Sequence, residues 1–305
     1  MPNHTTPLTD PPTGGPAGTG GTARTDGTDD THGRSSDGSS GSAAEAPAEP
    51  HRTPGRVPLL WRVLLVVARC VVALVGPLRV SGDVPDRLRH GAPLILASNH
   101  IGNFDPVVLV AAMRTRGLAP RLLAAAGLFR APVVGAVLRR CGHIPVNRRS
   151  ASAADALHEA EAALAAGAPI ALYPEGRIGL DPALWPERGK TGLARLAMRT
   201  GATVVPIAQW GAHEVLAYNG WGAMLRGLVR AMLRRPVLRV HFGAPIDLSD
   251  LDPGIPGTAL QATERIMAGI AAALVPLRVD EPDLPRFVDP TRGLSTARTR
   301  PRPEM

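Results

Sequence analysis

Short runs of apolar residues alternate with segments of helical periodicity along residues 80–275, and this alternation limits the fold more than any other feature. Strands that alternate with helices form a mostly parallel sheet with helices on both faces. The sequence therefore predicts an α/β fold with a mostly parallel central sheet flanked by helices. The predicted strands are 93–97, 121–125, 144–146, 169–173, 203–207 and 237–242, and the predicted helices are 105–114, 132–140, 152–167, 191–200 and 259–274.

The two ends of the chain differ in composition from this central part. Residues 1–55 consist mainly of Gly, Pro, Thr, Ser, Asp and Ala, and residues 280–305 are rich in Pro, Arg and Thr. Such segments bury too little apolar surface to offset the entropy lost on ordering. We expect disordered tails at 1–55 and 280–305, with one folded domain over 81–279 between them.

An apolar stretch at residues 57–80 precedes this domain. Arg62 and Arg69 divide it into runs well short of the roughly 20 residues that span a bilayer. They lie seven positions apart, so a helix would place them on one face. We predict an amphipathic helix over 56–80 that lies in a membrane interface. The alternative is a helix packed on the domain, with both arginines reaching water.

The charge of the chain is unevenly distributed. The net charge is +8, with −4 over residues 1–55 and +12 over the remainder. A basic folded domain favours an anionic partner. Only ten aromatic residues occur, and no basic run alternates with them, which argues against nucleic acid. Anionic lipid or a phosphorylated substrate remains. Arg226, Arg230 and Arg234 fit a helix on an anionic membrane and a solvated helix face equally well.

Polar residues follow three of the predicted strands. His100 follows 93–97, Arg148 follows 144–146, and Glu175-Gly176-Arg177 follows 169–173. The carboxyl ends of parallel strands meet at one edge of a sheet, where active sites form. The sequence therefore predicts a site at this edge.

His100 and Asp105 have the residue types of an acid–base pair. A neutral imidazole can take a proton from an alcohol, and a carboxylate on its other nitrogen fixes the tautomer. Asp105 before Pro106 also fits an ordinary helix N-cap, and both interpretations stay open. The chain has no Gly-x-Ser-x-Gly elbow, so we expect the substrate hydroxyl itself to be the nucleophile.

The basic residues near these clusters suggest a phosphate. Guanidinium groups grip phosphate in a bidentate manner, which suits Arg148 and Arg177. Lys190 is the sole lysine of the chain. An isolated lysine among so many arginines suggests a need for a compact ammonium, although chance would also explain it.

Taken together, these clusters resemble the lysophospholipid acyltransferase family, which includes 1-acylglycerol-3-phosphate acyltransferases. The resemblance covers roughly residues 60–276. The resemblance rests on the order and spacing of five segments: Asn99-His100 through Asp105, Gly142 through Arg148, Tyr173-Pro174-Glu175-Gly176, Lys190-Thr191-Gly192 and Val205-Pro206-Ile207.

The resemblance implies an enzyme that transfers a fatty acyl group from acyl-CoA or acyl-carrier protein to a lysophospholipid hydroxyl in phospholipid biosynthesis. It identifies 81–279 as the acyltransferase domain, with His100 as general base and Asp105 as its partner. No cofactor or metal is expected, and the enzyme would work on the cytoplasmic face of the membrane, peripheral or shallowly inserted. The implied substrate-binding residues are Asn103, Arg148, Glu175, Gly176, Arg177 and Lys190.

One segment departs from the family pattern. After Glu175-Gly176 the chain continues Arg177-Ile178-Gly179, so the family's Thr and Ser are missing and the arginine comes one position early. This makes another acceptor, such as a glycolipid or an aminolipid, more plausible beside 1-acylglycerol-3-phosphate. A lipid-binding module without catalysis is the non-enzymatic alternative.

Overall fold

A computed structural model of the chain describes residues 57–89, 91–147 and 152–303, with no side chains described at 152–154. The predicted N-terminal tail, 1–55, lies outside these residues, as does Arg148. All of the structure described below belongs to the compact unit that follows residue 48.

A seven-stranded sheet forms the centre, in the order β1-β7-β6-β2-β5-β3-β4. Every neighbouring pair is parallel except β6 and β7, which run antiparallel. The predicted mostly parallel sheet is therefore confirmed. Its strands are β1 (Leu78–Gly82), β2 (Leu94–Ser98), β3 (Arg121–Ala125), β4 (Ile144–Val146), β5 (Ile170–Leu172), β6 (Thr203–Trp210) and β7 (Leu238–Phe242).

Helices cover both faces of this sheet. On one face α1 and α3 pack against each other and on the strands, and on the other α5, α6 and α8 enclose a second apolar core. Because both faces are covered, β2 is buried at every position. The helices are α1 (Leu59–Val75), α2 (Asp86–Arg89), α3 (Asp105–Thr115), α4 (Pro132–Arg140), α5 (Ser152–Ala165), α6 (Gly192–Thr200), α7 (Trp221–Arg234) and α8 (Thr258–Leu274).

The predicted helix over 56–80 is shorter than expected. Helix α1 ends at Val75, and residues 78–80 belong to β1, which pairs with β7. Gly76 allows this change, because a Cβ there would lie 2.1 Å from the Pro236 carbonyl oxygen. Pro77 then removes a backbone donor that a helix would need.

Helix α1 has apolar residues on two sides. Trp61, Leu65 and Val72 are buried, whereas Leu59, Val63 and Leu74 are among its exposed apolar side chains. Within the described residues, none of the helices is both long and apolar enough to cross a bilayer.

Helix α7 carries small residues inward and large apolar residues outward. Its buried residues are Gly227 and Ala231. Trp221, Leu225 and Leu233 are 89%, 64% and 80% exposed. This arrangement is the reverse of an ordinary surface helix, in which the large apolar side chains face the core.

The predicted C-terminal disordered tail disagrees with the structure over residues 280–303. This segment packs along the domain through hydrogen bonds to loop backbone groups, such as Ser295 N–H to the Leu180 carbonyl, 2.9 Å. The prediction relied on low apolar content, which does not count contacts made by arginine and aspartate side chains.

Candidate active site

His100 and Asp105 meet at the carboxyl end of β2, where the chain turns into α3. The His100 Nδ1 to Asp105 Oδ2 distance is 2.9 Å. The same oxygen accepts the backbone N–H groups of Ile101, at 2.5 Å, and Gly102, at 2.8 Å. Asp105 is the first residue of α3 and its side chain is fully buried. The carboxylate therefore binds His100 and the preceding loop, and the N-cap interpretation is not met, since the N-cap position is Phe104.

This geometry fixes which nitrogen of His100 can act as a base. A carboxylate only accepts hydrogen bonds, so in the neutral imidazole Nδ1 carries the proton and Nε2 has the free lone pair. The side chain is 13% exposed and stacks on Tyr173, with 4.0 Å between ring centroids. Burial and the charge of Asp105 hold the pKa of the Tyr173 phenol well above its usual value. Tyr173 thus stays neutral as one wall of the imidazole site.

The loop after β5 holds the backbone of His100 on both sides. Glu175 Oε1 accepts the His100 N–H at 2.9 Å, and the Gly179 N–H donates to the His100 carbonyl at 2.8 Å. The second oxygen of Glu175 accepts the Glu187 N–H at 3.2 Å. Glu175 is buried with both oxygens engaged, so a contact with a substrate head group would require it to leave these bonds.

Burial also changes the proton affinity of Glu175. It raises the pKa of this carboxyl to about 8, and the charges of Glu187 and Asp105 act in the same direction. The two backbone N–H groups that Glu175 accepts oppose this change.

Arg177 pairs with a buried carboxylate. Its Nη2 lies 2.8 Å from Glu187 Oε2, and its Nε lies 3.1 Å from the same oxygen. Glu187 is fully buried and also accepts the Leu180 N–H at 2.8 Å. Arg177, which comes one position earlier than in the family pattern, is therefore neutralised by Glu187. Its contact with a phosphate stays a prediction.

Lys190 lies on the outer side of the same loop. Gly176 has a φ of +69°, and a Cβ added there would lie 3.0 Å from Lys190 Cε and 3.5 Å from Nζ. Lys190 is exposed and forms no salt bridge with any residue in the described ranges. Its ammonium group is available to an anion in a way that the guanidinium of Arg177 is not.

Asn103 ties the His100 loop to another loop. Its side-chain amide donates to the carbonyls of Ala217, at 2.8 Å, and Tyr218, at 3.0 Å. These bonds give Asn103 a structural role, and its predicted contact with substrate stays a prediction. The structure thus brings His100, Asp105, Glu175, Gly176, Arg177 and Lys190 to one edge of the sheet.

Sequence reasoning missed three residues of this site. The sequence analysis placed Tyr173 at the end of a predicted strand and gave it no role in the site. It assigned no role to Glu187. Arg292, which contacts the loops of both His100 and Gly179, stood in a predicted tail. The early position of Arg177 in the sequence was a signal that could have prompted a search for an acidic partner such as Glu187.

Comparison with known proteins relates the chain to acyltransferases. Residues 79–210 match the family model for acyltransferases. A chloroplastic 1-acyl-sn-glycerol-3-phosphate acyltransferase of Brassica napus is 28% identical over 51% of this chain and 43% of its own length. The N-acylphosphatidylethanolamine synthase of Arabidopsis thaliana is 32% identical over 52% of this chain and 57% of its own. The chain thus spans about half the length of these relatives.

A solved structure also resembles the chain. It is the 1-acyl-sn-glycerophosphate acyltransferase PlsC from Thermotoga maritima, with a TM-score of 0.49 and 18% identity over 70% of this chain and 78% of that chain.

Residues 79–210 therefore match an acyltransferase domain. The domain is similar to those of 1-acylglycerol-3-phosphate acyltransferases, as the sequence motifs predicted.

Proposed function

We propose that the chain transfers a fatty acyl group from acyl-CoA or acyl-carrier protein to the hydroxyl of 1-acylglycerol-3-phosphate. The 2.9 Å contact between His100 Nδ1 and Asp105 Oδ2 carries this proposal, because it leaves Nε2 as a base. The acceptor hydroxyl attacks the thioester carbonyl carbon and loses its proton to Nε2. The new C–O bond forms, the C–S bond breaks, and the proton passes from His100 to the leaving thiolate.

The charge pattern around the site supports an acidic acceptor. Lys190 is exposed and lies over Gly176, and the side chain of Arg177 is 34% exposed. Arg148, outside the described residues, is the remaining candidate from the sequence. Phosphate on the acceptor would suit these cations.

A second candidate acceptor is an aminolipid. The pairing of Arg177 with Glu187 favours it, since it leaves one fewer charge for a phosphate than the family pattern predicts. The relative from Arabidopsis thaliana, by its name an N-acylphosphatidylethanolamine synthase, is consistent with this alternative. A glycolipid acceptor would be supported by the same loss of phosphate-binding charge.

The test of the main proposal uses the purified chain with oleoyl-CoA and 1-acylglycerol-3-phosphate, with the diacyl product measured by mass spectrometry. We expect turnover by the wild type and a loss of at least about 10²-fold in His100→Ala, since a general base typically contributes 10²–10⁴-fold. His158→Ala is the matched control, because His158 lies exposed on α5, away from the site.

Equal turnover by the wild type and His100→Ala would refute the base assignment. Turnover that is the same with phosphatidylethanolamine as with 1-acylglycerol-3-phosphate would favour the aminolipid acceptor. Intact vesicle binding with no turnover on any acceptor would favour a lipid-binding module.

We also propose that the chain attaches to the anionic surface of a membrane, on its cytoplasmic face, as a peripheral or shallowly inserted protein. Two observations support this proposal. The outer side of α1 and the outer side of α7 both expose large apolar residues, and the helices adjoin, since Arg235 at the end of α7 donates to the Leu74 carbonyl at 3.1 Å. Arg62, Arg226 and Arg234 stand among these apolar residues.

A further inference from the structure

Residues 280–303, which we call the C-terminal strap, cross the candidate active site. The Asp289 carboxylate accepts the Tyr218 N–H, and the Ser295 N–H donates to the Leu180 carbonyl. Further along, Arg298 donates to the Glu175 carbonyl at 3.1 Å. The strap therefore contacts the loop after β5 at more than one point.

Arg292 reaches from the strap to the loop that contains His100. Its Nη2 donates to the Ile101 carbonyl at 2.6 Å and to the Gly179 carbonyl at 2.8 Å. Ile101 directly follows His100, and Gly179 is the residue whose N–H holds the His100 carbonyl. A single guanidinium thus bridges the two loops at the place where they hold the catalytic histidine.

The charge of Arg292 suits this position. Burial lowers the pKa of Arg292, whereas the carboxylates of Asp105 and Asp289 oppose that change. The buried carboxylate of Asp105 therefore has a cation facing it from the strap as well as the imidazole of His100.

We propose that Arg292 is a positioning residue, which holds the His100 and Gly179 loops together so that the imidazole faces the acceptor hydroxyl. The inference rests on the proposed acyl transfer. Arg292 touches backbone carbonyls and no reacting atom, so its effect falls on the placement of His100. Misplacement by about 1 Å is enough to cost about 10²-fold in rate.

The test compares Arg292→Ala with Arg300→Ala. Arg300 is in the same strap and donates to the Glu264 carbonyl on α8, away from both loops. We expect kcat of Arg292→Ala to fall about 10- to 100-fold with KM within about twofold, and Arg300→Ala to match the wild type. Guanidinium ion at millimolar concentration should restore part of the kcat of Arg292→Ala and leave Arg300→Ala unchanged.

Hydrogen exchange gives a second readout that does not depend on turnover. The peptides that contain His100 and Gly179 should exchange faster in Arg292→Ala than in the wild type or in Arg300→Ala. If Arg292→Ala does not fold, Arg292→Gln is measured in the same way, since the shorter glutamine side chain does not extend as far as the Nη2 of Arg292, which makes both bonds.

Wild-type kcat in either folded Arg292 variant, or unchanged exchange at His100 and Gly179, would overturn the positioning role. Absence of wild-type turnover would instead refute the proposed function. The exchange comparison would then decide on its own whether Arg292 holds the two loops together.

Discussion

Three buried carboxyl groups, Asp105, Glu175 and Glu187, lie within the same site, and each one accepts at least one backbone N–H group. Glu175 joins the two loops by accepting from His100 and from Glu187. The motif predicts a substrate-binding role for Glu175, whereas its burial gives it a role in shaping the loop around His100. The motif identifies Glu175 as a residue of the site, and its burial determines that it contacts backbone N–H groups.

Replacing Glu175 with glutamine should change how stability depends on pH. The folded-state pKa is about 8 and the usual value is 4.5, so the folded chain keeps a proton that the unfolded chain loses. This group therefore stabilises the fold fully below about pH 4.5, and its contribution is lost as pH rises toward about 8. Glu175→Gln, which has no charge at any pH, should flatten that fall in the free energy of unfolding.

Urea unfolding at pH 5 and pH 8 measures this effect. Glu264→Gln is the control, since Glu264 is exposed on α8. An identical pH dependence in the wild type and Glu175→Gln would show that Glu175 does not hold a proton in the folded chain.

Residues of the site differed in how far the sequence could predict them. His100 and Asp105 stand five positions apart after a buried strand, so local sequence is enough to bring them together. Arg292 is 192 positions from His100 and stands among Pro, Arg and Thr, where no periodicity indicates packing. Its contacts depend on the path of the strap, which only the whole fold determines.

At the scale of single elements, β3, α4 and β4 have the bounds that the sequence predicts. Apolar content and helical period determine each of them locally. Strand β1 was missed because its residues continue the apolar stretch of α1 with no polar gap. The sequence also did not predict that β6 and β7 pair antiparallel, because the direction of pairing depends on how the connecting segment crosses the fold.

Gly76→Ala should destabilise the junction between α1 and β1. The new Cβ would lie 2.1 Å from the Pro236 carbonyl oxygen, so backbone must move to admit it. We expect a loss of about 1–3 kcal/mol in the free energy of unfolding, the usual cost of overpacking. Gly127→Ala is the control, because a Cβ there meets nothing within 4 Å.

Thermal and urea unfolding of both variants would test this prediction. If Gly76→Ala were as stable as Gly127→Ala, the Pro236 carbonyl oxygen would have to lie farther from Gly76 than the structure shows.

At the scale of the whole molecule, apolar surface on α1 and α7 is combined with a net charge of +12 over residues 56–305. We expect the chain to bind vesicles that contain phosphatidylglycerol more tightly than vesicles of phosphatidylcholine alone. Raising the salt from 0.1 to 0.5 M should weaken the first interaction more, because salt screens exposed charges.

The variant Leu225→Gln/Leu233→Gln, on the outer side of α7, should bind the anionic vesicles at least about tenfold more weakly, because it removes two large apolar side chains from the interface. Leu284→Gln, at an exposed residue of the strap, is the control and should bind as the wild type does. Co-sedimentation measures both. Equal binding by the α7 variant and the control would argue against α7 as part of the membrane surface.

The position of Lys190 has a consequence for chemical labelling. It is the sole lysine of the chain, it is exposed, and it lies on Gly176 at the edge of the site. Apart from the α-amino group, an amine-reactive reagent therefore has one target, so a dye or crosslinker can be placed next to Gly176 without mutagenesis.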